Sequence, residues 1–357
     1  SVELEANQTH GLVCAHHHLY SSLARGMPSP VQTPTSFHEI LKSVWWKLDR
    51  ALDLDIIEWS AKLGALEALR SGTTCIIDHH ESPNAIEGSL TTISEACASV
   101  GVRVNTCYGL TDRNHEGSER AMAMTEDAKR GLEENHRFID EGGRGMIGIH
   151  AAFTCSDETL EAAAGLASDL DVGVHVHVAE GEIDASATSR LKPFSKDNWL
   201  LIHGVKLEDD HGLKGTIIHN PRSNMNNSVG YAEPLRFSNP VGLGTDGIGA
   251  DMVDEFRVAY VRLRENHIDE SPEKVWEMLE VNKSLFPECI NDVVTWTYHK
   301  MEPWHLAFTT GVRPVNIQID GEHVMKNGEF TQVDAVEIEA KAAEASLRLF
   351  KKIAEIT

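Results

Sequence analysis

Val172-Gly173-Val174-His175-Val176-His177-Val178-Ala179-Glu180 is a β-branched run that ends in polar residues. Its valines and histidines alternate at period two, and so continuous an apolar run reads as a strand covered on both faces. Seven more runs of this kind occur: Leu12–His18, Thr73–Asp78, Val102–Tyr108, Met146–Ala152, Trp199–His203, Thr216–His219 and Pro240–Gly244. Helical patterns separate them at Ile56–Arg70, Ala85–Val100, Glu119–Phe138 and Glu158–Leu170, while the connections after the fifth and sixth runs show little helical period. Strands alternating with helices imply parallel βαβ units, and eight such units close as a (β/α)8, TIM-like barrel. A doubly wound open sheet is the alternative, but the first run is not followed by the GxGxxG turn.

Beyond the eighth run the pattern changes. Asn291–Trp296, Pro314–Asp320 and His323–Met325 read as short strands divided by turns such as GEH and KNGEF. The expected organisation is a barrel over 10–289, a small β-sandwich appendage from 1–9 and 290–334, apparent only in part, and a helix over 335–357. Ala343, Leu347, Phe350 and Ile353 have the spacing of a docking face on that helix.

The 357 residues carry 55 acidic and 32 basic side chains, a formal charge of −23. Such a field repels phosphate backbones and anionic lipid, so the expected partner is a small-molecule substrate, with no nucleic acid and no membrane; a homodimer is allowed for. No apolar run approaches the ~18 residues of a spanning helix, and the start SVELEANQTH is unlike a signal peptide. Cys14, Cys75, Cys97, Cys107, Cys155 and Cys289 are scattered without a CxxC pair, which points to a reducing, cytoplasmic location.

In a parallel barrel the strand ends share one face, where active sites sit. His16 and His18 alternate onto one side of the first strand end and suit a divalent metal. On the fifth strand His177 lies nearer the mouth than His175, which reads as a hydrogen-bonded interior histidine. Glu180 can fold back over the metal and shuttle protons. Asp246, in GTDG, can ligate the metal and accept a proton from water. His219 and Arg222, in HNPRSN, suit substrate contacts or a structural hydrogen-bonded loop. Arg25, Trp45 and Trp46 are further pocket candidates from the loops.

Together HxH (His16, His18), HxxE (His177, Glu180), HG (His203) and GTDG (Asp246) resemble the amidohydrolase superfamily of metal-dependent hydrolases. The stretches LVCAHHHLYSSLARGM, SGTTCIIDHH, GIHAAFT, HNPRSNM and GTDGIGADM are similar to its chlorohydrolase and aminohydrolase branch, most of all to aminohydrolases of SsnA type. That resemblance implies that His16, His18, His177 and Asp246 hold one divalent metal, Zn2+ first and Fe2+ or Mn2+ as alternatives. It also implies that His203 orients the water or the tetrahedral intermediate and that Glu180 transfers protons. Dinuclear relatives use a carboxylated lysine on the fourth strand; here that strand, Gly145–His150, has none, which favours one metal and leaves His150 facing substrate. Family members carry a longer segment before HxH, and Thr9-His10-Gly11 stands where Pro-Gly is usual.

The activity so implied is hydrolysis of a non-peptide C–N bond, foremost deamination of a nitrogen heterocycle by a metal-activated water. Dechlorination or cyclic-amide opening would use the same machinery. A catalytically inactive metal-binding protein is the reading outside enzymology, and it would need neither Glu180 nor His203.

Overall fold

The structure, a computed structural model, describes residues 3–114 and 120–356. Ser1, Val2 and Thr357 at the chain ends and the expected helix start at Glu119 lie outside the described residues. A short strand β1 (Gln8–Thr9) precedes eight barrel strands: β2 (Leu12–His17), β3 (Thr73–His80), β4 (Arg103–Leu110), β5 (Ile147–Ala151), β6 (Val174–Val178), β7 (Leu200–His203), β8 (Thr216–His219) and β9 (Val241–Leu243). Each of the eight pairs in parallel with the next. Between β9 and β2 the ring is closed by a single parallel bridge, His17 to Asp246. There the Thr245 and Asp246 N–H groups donate to the His16 carbonyl at 2.9 and 3.1 Å. The barrel read from the eight runs is present, and β3 and β4 each run two residues past their expected ends.

Alternation along the strands sorts the core. Val13, Cys75, Ile77, Leu200, Ile202 and Ile218 fill the interior above Phe286. Their neighbours, including Val174, Val176, Leu201 and Ile217, pack outward beneath the helices. The helix Leu54–Arg70 starts where Asp53 accepts the Ile56 N–H at 2.9 Å and buries Ile56, Ile57, Leu66 and Leu69 against the barrel. The helix expected from Glu119 begins at Glu126, capped by Thr125, whose hydroxyl accepts the Ala128 N–H at 3.2 Å. Where helical period is weak in sequence, the helix layer is thin. Among the described residues β6 is followed by a 3-10 turn, Glu182–Asp184, and one short α-helix, Ala187–Leu191, and no helix joins β7 to β8.

The appendage is one antiparallel sheet in the order β1, β10 (Val293–Trp296), β11 (Pro314–Ile319), β12 (Glu322–Lys326), β13 (Glu329–Phe330). Val294, Trp296, Ile317 and Met325 share a core with the helix Leu54–Arg70 and with the last helix, Ala335–Glu355. That last helix docks through Ile338, Ala342, Ala345 and Leu349, with Phe350 and Ile353 of the expected stripe packed beside them, whereas Ala343 and Leu347 of that stripe face outward. Leu347 is 71% exposed. Both sets recur at helical spacing, so spacing alone does not separate them.

Three residues at the barrel mouth take left-handed backbone: Ala179 (φ 49°), His203 (φ 75°) and Asp246 (φ 52°). His203 ends β7, Ala179 follows β6 directly, and Asp246 lies three residues past β9. Each such residue costs about 1–3 kcal/mol, and the surrounding structure holds all three.

Candidate active site

A bulge aims the first histidine pair. Between Cys14 and His17 the register of β2 on β3 shifts, three residues advancing against two. Val13 and Ala15 point into the barrel, and the extra residue turns His16 and His18 inward as well. His17 is left pointing away and donates its Nδ1–H to the Asp246 carbonyl at 2.7 Å. His203 is odd-numbered like outward-facing Leu201, yet its ring reaches the mouth because the chain leaves β7 with positive φ.

His16, His18, His177 and Asp246 are buried, and their candidate ligand atoms lie within 4.8 Å of one another. Asp246 Oδ1 is 3.2 Å from His16 Nε2 and 3.0 Å from His18 Nε2. His18 donates its Nδ1–H to the His79 carbonyl at 2.6 Å, and His177 donates its own to the His150 carbonyl at 2.6 Å. A carbonyl can only accept, so both rings keep their Nε2 lone pairs for the centre. Those two nitrogens stand 3.3 Å apart. Two lone pairs that close beside a carboxylate suit a cation between them, and three imidazoles with one carboxylate are a donor set suited to a divalent metal. The residues fit the group.

Above them sits a second group. Glu180, His203 and Asp246 also bring candidate atoms within 4.8 Å, with Glu180 Oε2 3.3 Å from His203 Nε2. Asn224 donates to His203 Nδ1 at 2.9 Å, so the His203 N–H faces the mouth. Ser223 donates to Asp246 Oδ2 at 2.5 Å. The two carboxylates are driven apart. Burial, with Asp246 beside it, raises Glu180 well above the usual carboxylate range. Burial opposes ionisation of Asp246 too, but the His16 and His18 imidazoles beside it outweigh that and hold the group well below its ordinary value.

The mouth opens into a cleft of about 590 Å3, counting space open to solvent. Tyr20, Phe37, Leu41, Trp45, Trp46 and Phe153 form its apolar walls, and His18, His177, Glu180 and Asp246 its floor. Asp49, Glu81 and His150 also line it, the His150 ring 5.6 Å from that of His177. Arg113 bonds both carboxylates, Asp49 and Glu81 (2.6 Å to the latter), and stacks on Trp46 at 5.2 Å. Burial pushes Asp49 up despite Arg113, whereas at Glu81 burial is outweighed by Arg113 and His150, which lower it. Asp49 Oδ1 and Glu81 Oε1 are buried without a hydrogen-bond partner among the described residues.

Of the residues singled out in sequence for substrate contact, His150 lines this cleft, and so do Trp45 and Trp46. His219 and Arg222 do not. His219 follows inward-facing Ile218, points outward and meets Tyr231 with ring centroids 5.8 Å apart. Arg222 is tied to Glu255 at 3.1 Å and to the Ile248 carbonyl at 2.8 Å. Arg25 is paired with Glu67 on the surface. Asp49, Glu81 and Arg113 were not anticipated. Glu81 directly follows a strand end, the signal that marks the other site residues, but Asp49 in WWKLDRALD reads as one more solvated helix position.

An eight-stranded parallel barrel with an imidazole–carboxylate cluster at its C-terminal mouth defines a class, the barrel hydrolases with a metal centre. The chain belongs to the amidohydrolase family, whose model matches residues 9–280, and it is a hydrolase of that family. The 5′-deoxyadenosine deaminase of Methanopyrus kandleri is 27% identical over 391 residues, covering 95% of this chain and 86% of the relative. The 5-methylthioadenosine/S-adenosylhomocysteine deaminase of Moorella thermoacetica is 31% identical over 272 residues, 70% of this chain and 60% of the relative. An adenosine deaminase from Xanthomonas campestris with bound zinc superposes with TM-score 0.76 at 19% identity, over 96% of this chain and 85% of the other. The zinc-complexed atrazine chlorohydrolase of Arthrobacter aurescens TC1 gives 0.80 at 18%, over 95% and 88%. At those identities the two structures show a shared fold.

Proposed function

We propose that the chain deaminates an adenosine derivative modified at its 5′ position, with one zinc ion held by His16, His18, His177 and Asp246. The observation that carries the reading is the place of Glu180, a buried carboxyl group at the rim of the ligand cluster with Oε2 3.3 Å from His203 Nε2, where burial favours its protonated form. A divalent metal in this cluster supplies Lewis acidity that makes water nucleophilic near neutral pH.

The chain's own residues then have distinct work. Asp246 takes the proton that water loses. The His203 N–H hydrogen-bonds the attacking oxygen as it adds to the amidine carbon. Glu180 gives its proton to the ring nitrogen beside that carbon, where a pair of electrons arrives. When the C–N bond breaks, Asp246 passes the proton taken from water to the departing amino group, which leaves as ammonia, and the hydroxyl proton returns to Glu180 as the C=O forms, leaving the ring nitrogen protonated. Trp45, Trp46 and Phe153 provide faces for a planar base, and a cleft of this size suits a nucleoside. The free oxygens of Asp49 and Glu81 offer acceptors for hydroxyl or N–H groups on the part of the substrate that does not react.

The test is an ammonia assay on zinc-loaded protein with 5′-deoxyadenosine, 5′-methylthioadenosine and S-adenosylhomocysteine, and with a chlorotriazine as control. Ammonia in step with loss of the adenine chromophore is expected. Chloride from the triazine, with no ammonia from any nucleoside, overturns the reading in favour of dechlorination.

A further inference from the structure

We propose that His175 is a positioning residue that sets which nitrogen of His16 faces the metal. The proposal rests on the reading of His16 as a ligand. β6 stands four strands from β2 in the barrel order, directly across the ring. His175, one pleat below His177 on β6, spans that interior to place its Nε2 2.9 Å from His16 Nδ1. Both rings are completely buried.

The three histidines of the cluster differ in how their tautomer is held. His18 and His177 lose their Nδ1–H to main-chain carbonyls, which accept whatever the side chains around them do. His16 has no such carbonyl. Its Nδ1 meets only His175, so its Nε2 can present a lone pair only if Nδ1 carries the proton and His175 Nε2 accepts it. His175 must then carry its own proton on Nδ1, a buried atom without a hydrogen-bond partner among the described residues. The ring facing it is His79, edge-on with centroids 5.0 Å apart. His79 Nε2 donates to the Ile149 carbonyl at 3.1 Å, so His79 offers no second proton from Nδ1. Among the described residues His175 is thus the one side chain hydrogen-bonded to His16 Nδ1. An apolar residue in its place would leave the His16 Nδ1–H buried and unsatisfied and would favour the tautomer that turns an N–H toward the metal.

Zinc affinity, measured by competition with a chromophoric chelator, separates this proposal from the reading beneath it. His16→Ala should abolish tight binding; if it does not, His16 is no ligand. Given that loss, His175→Leu should weaken zinc about 10–100-fold, and His175→Gln, whose amide oxygen can accept, should recover most of it. In 15N spectra of the zinc-loaded wild-type protein, His16 should be protonated at Nδ1 and His175 at its own Nδ1. A folded His175→Leu protein that binds zinc within about threefold of wild type overturns the proposal. If the leucine variant does not fold, the spectra decide, and a His16 unprotonated at Nδ1 overturns it.

Discussion

Glu180 and Asp246 are carboxyl groups within one cluster, yet their surroundings push one up and the other down from the usual carboxylate range. Such a split marks an acid and a base with separate duties. Glu180→Gln keeps the shape but cannot give up a proton. It should retain bound zinc and lose about 10²–10⁴-fold in turnover, checked by metal content alongside ammonia release. A third buried carboxyl bears on stability instead. Asp78 accepts from Leu19 N–H at 2.8 Å and from the Thr106 hydroxyl at 2.7 Å, but burial dominates and raises it to about 6. Its folded value lies above its unfolded one, so its stabilising effect is complete below about pH 4 and fades as pH rises through about 6. The shift corresponds to roughly 3 kcal/mol at most. Asp78→Asn, which can still accept from Leu19 while Thr106 reverses to accept from the amide, should flatten the fall in urea stability between pH 4 and 6. An unchanged slope refutes the assignment. At this scale the sequence is legible where a polar residue directly ends an apolar run, as at His16, His177 and Asp246. It is illegible at Asp49 and Arg113, which the cleft brings together from a helix and a loop that share no motif.

Elements aim these residues through irregularities that period-two counting does not contain. The bulge in β2 turns His16 inward, and the left-handed residue at the end of β7 does the same for His203. Strand count, order and parallel sense were readable because each run is buried on both faces, which leaves a continuous apolar signature. The helix layer between β6 and β9 was not, because short helices there leave too few turns for a period to register. One seam also depends on a residue too small to leave a pattern. β4 and β5 pair through Gly109–Gly148 and Leu110–Ile149, and a Cβ on Gly148 would stand 2.3 Å from the Tyr108 carbonyl oxygen. That obstacle is main chain and cannot swing aside. Gly148→Ala should therefore destabilise the barrel by about 1–3 kcal/mol or more, read as a lower urea midpoint. A midpoint equal to wild type would mean that the two strands separate without cost.

The whole molecule must hold a ring closed, and its closure is thinnest where the site lies. Between β9 and β2 the main-chain hydrogen bonds at the mouth run from Thr245 and Asp246 to the His16 carbonyl and, at 3.4 Å, from His18 N–H to the Asp246 carbonyl. A formal charge of −23 adds a general repulsion that favours expansion. His16 and His18 belong to the β2 side of this seam, Asp246 to the β9 side, and His177 to β6 opposite. A metal shared among them ties both sides of the seam to the far wall, so binding should stabilise closure as well as enable chemistry. The linkage is quantitative. At a free concentration one hundred times Kd, a ligand selective for the folded state adds about 2.7 kcal/mol, seen as a rise in Tm. The effect should also be local. On adding zinc to chelator-stripped protein, hydrogen exchange at the Thr245 and Asp246 amides should slow more than exchange at amides of the distant β11–β12 pair. His177→Ala should weaken the site and remove both the Tm rise and the local protection, while leaving the seam's own hydrogen bonds in place. Uniform slowing across barrel and appendage would show instead that the ion acts on the molecule's overall charge, and the seam would then owe nothing to the site.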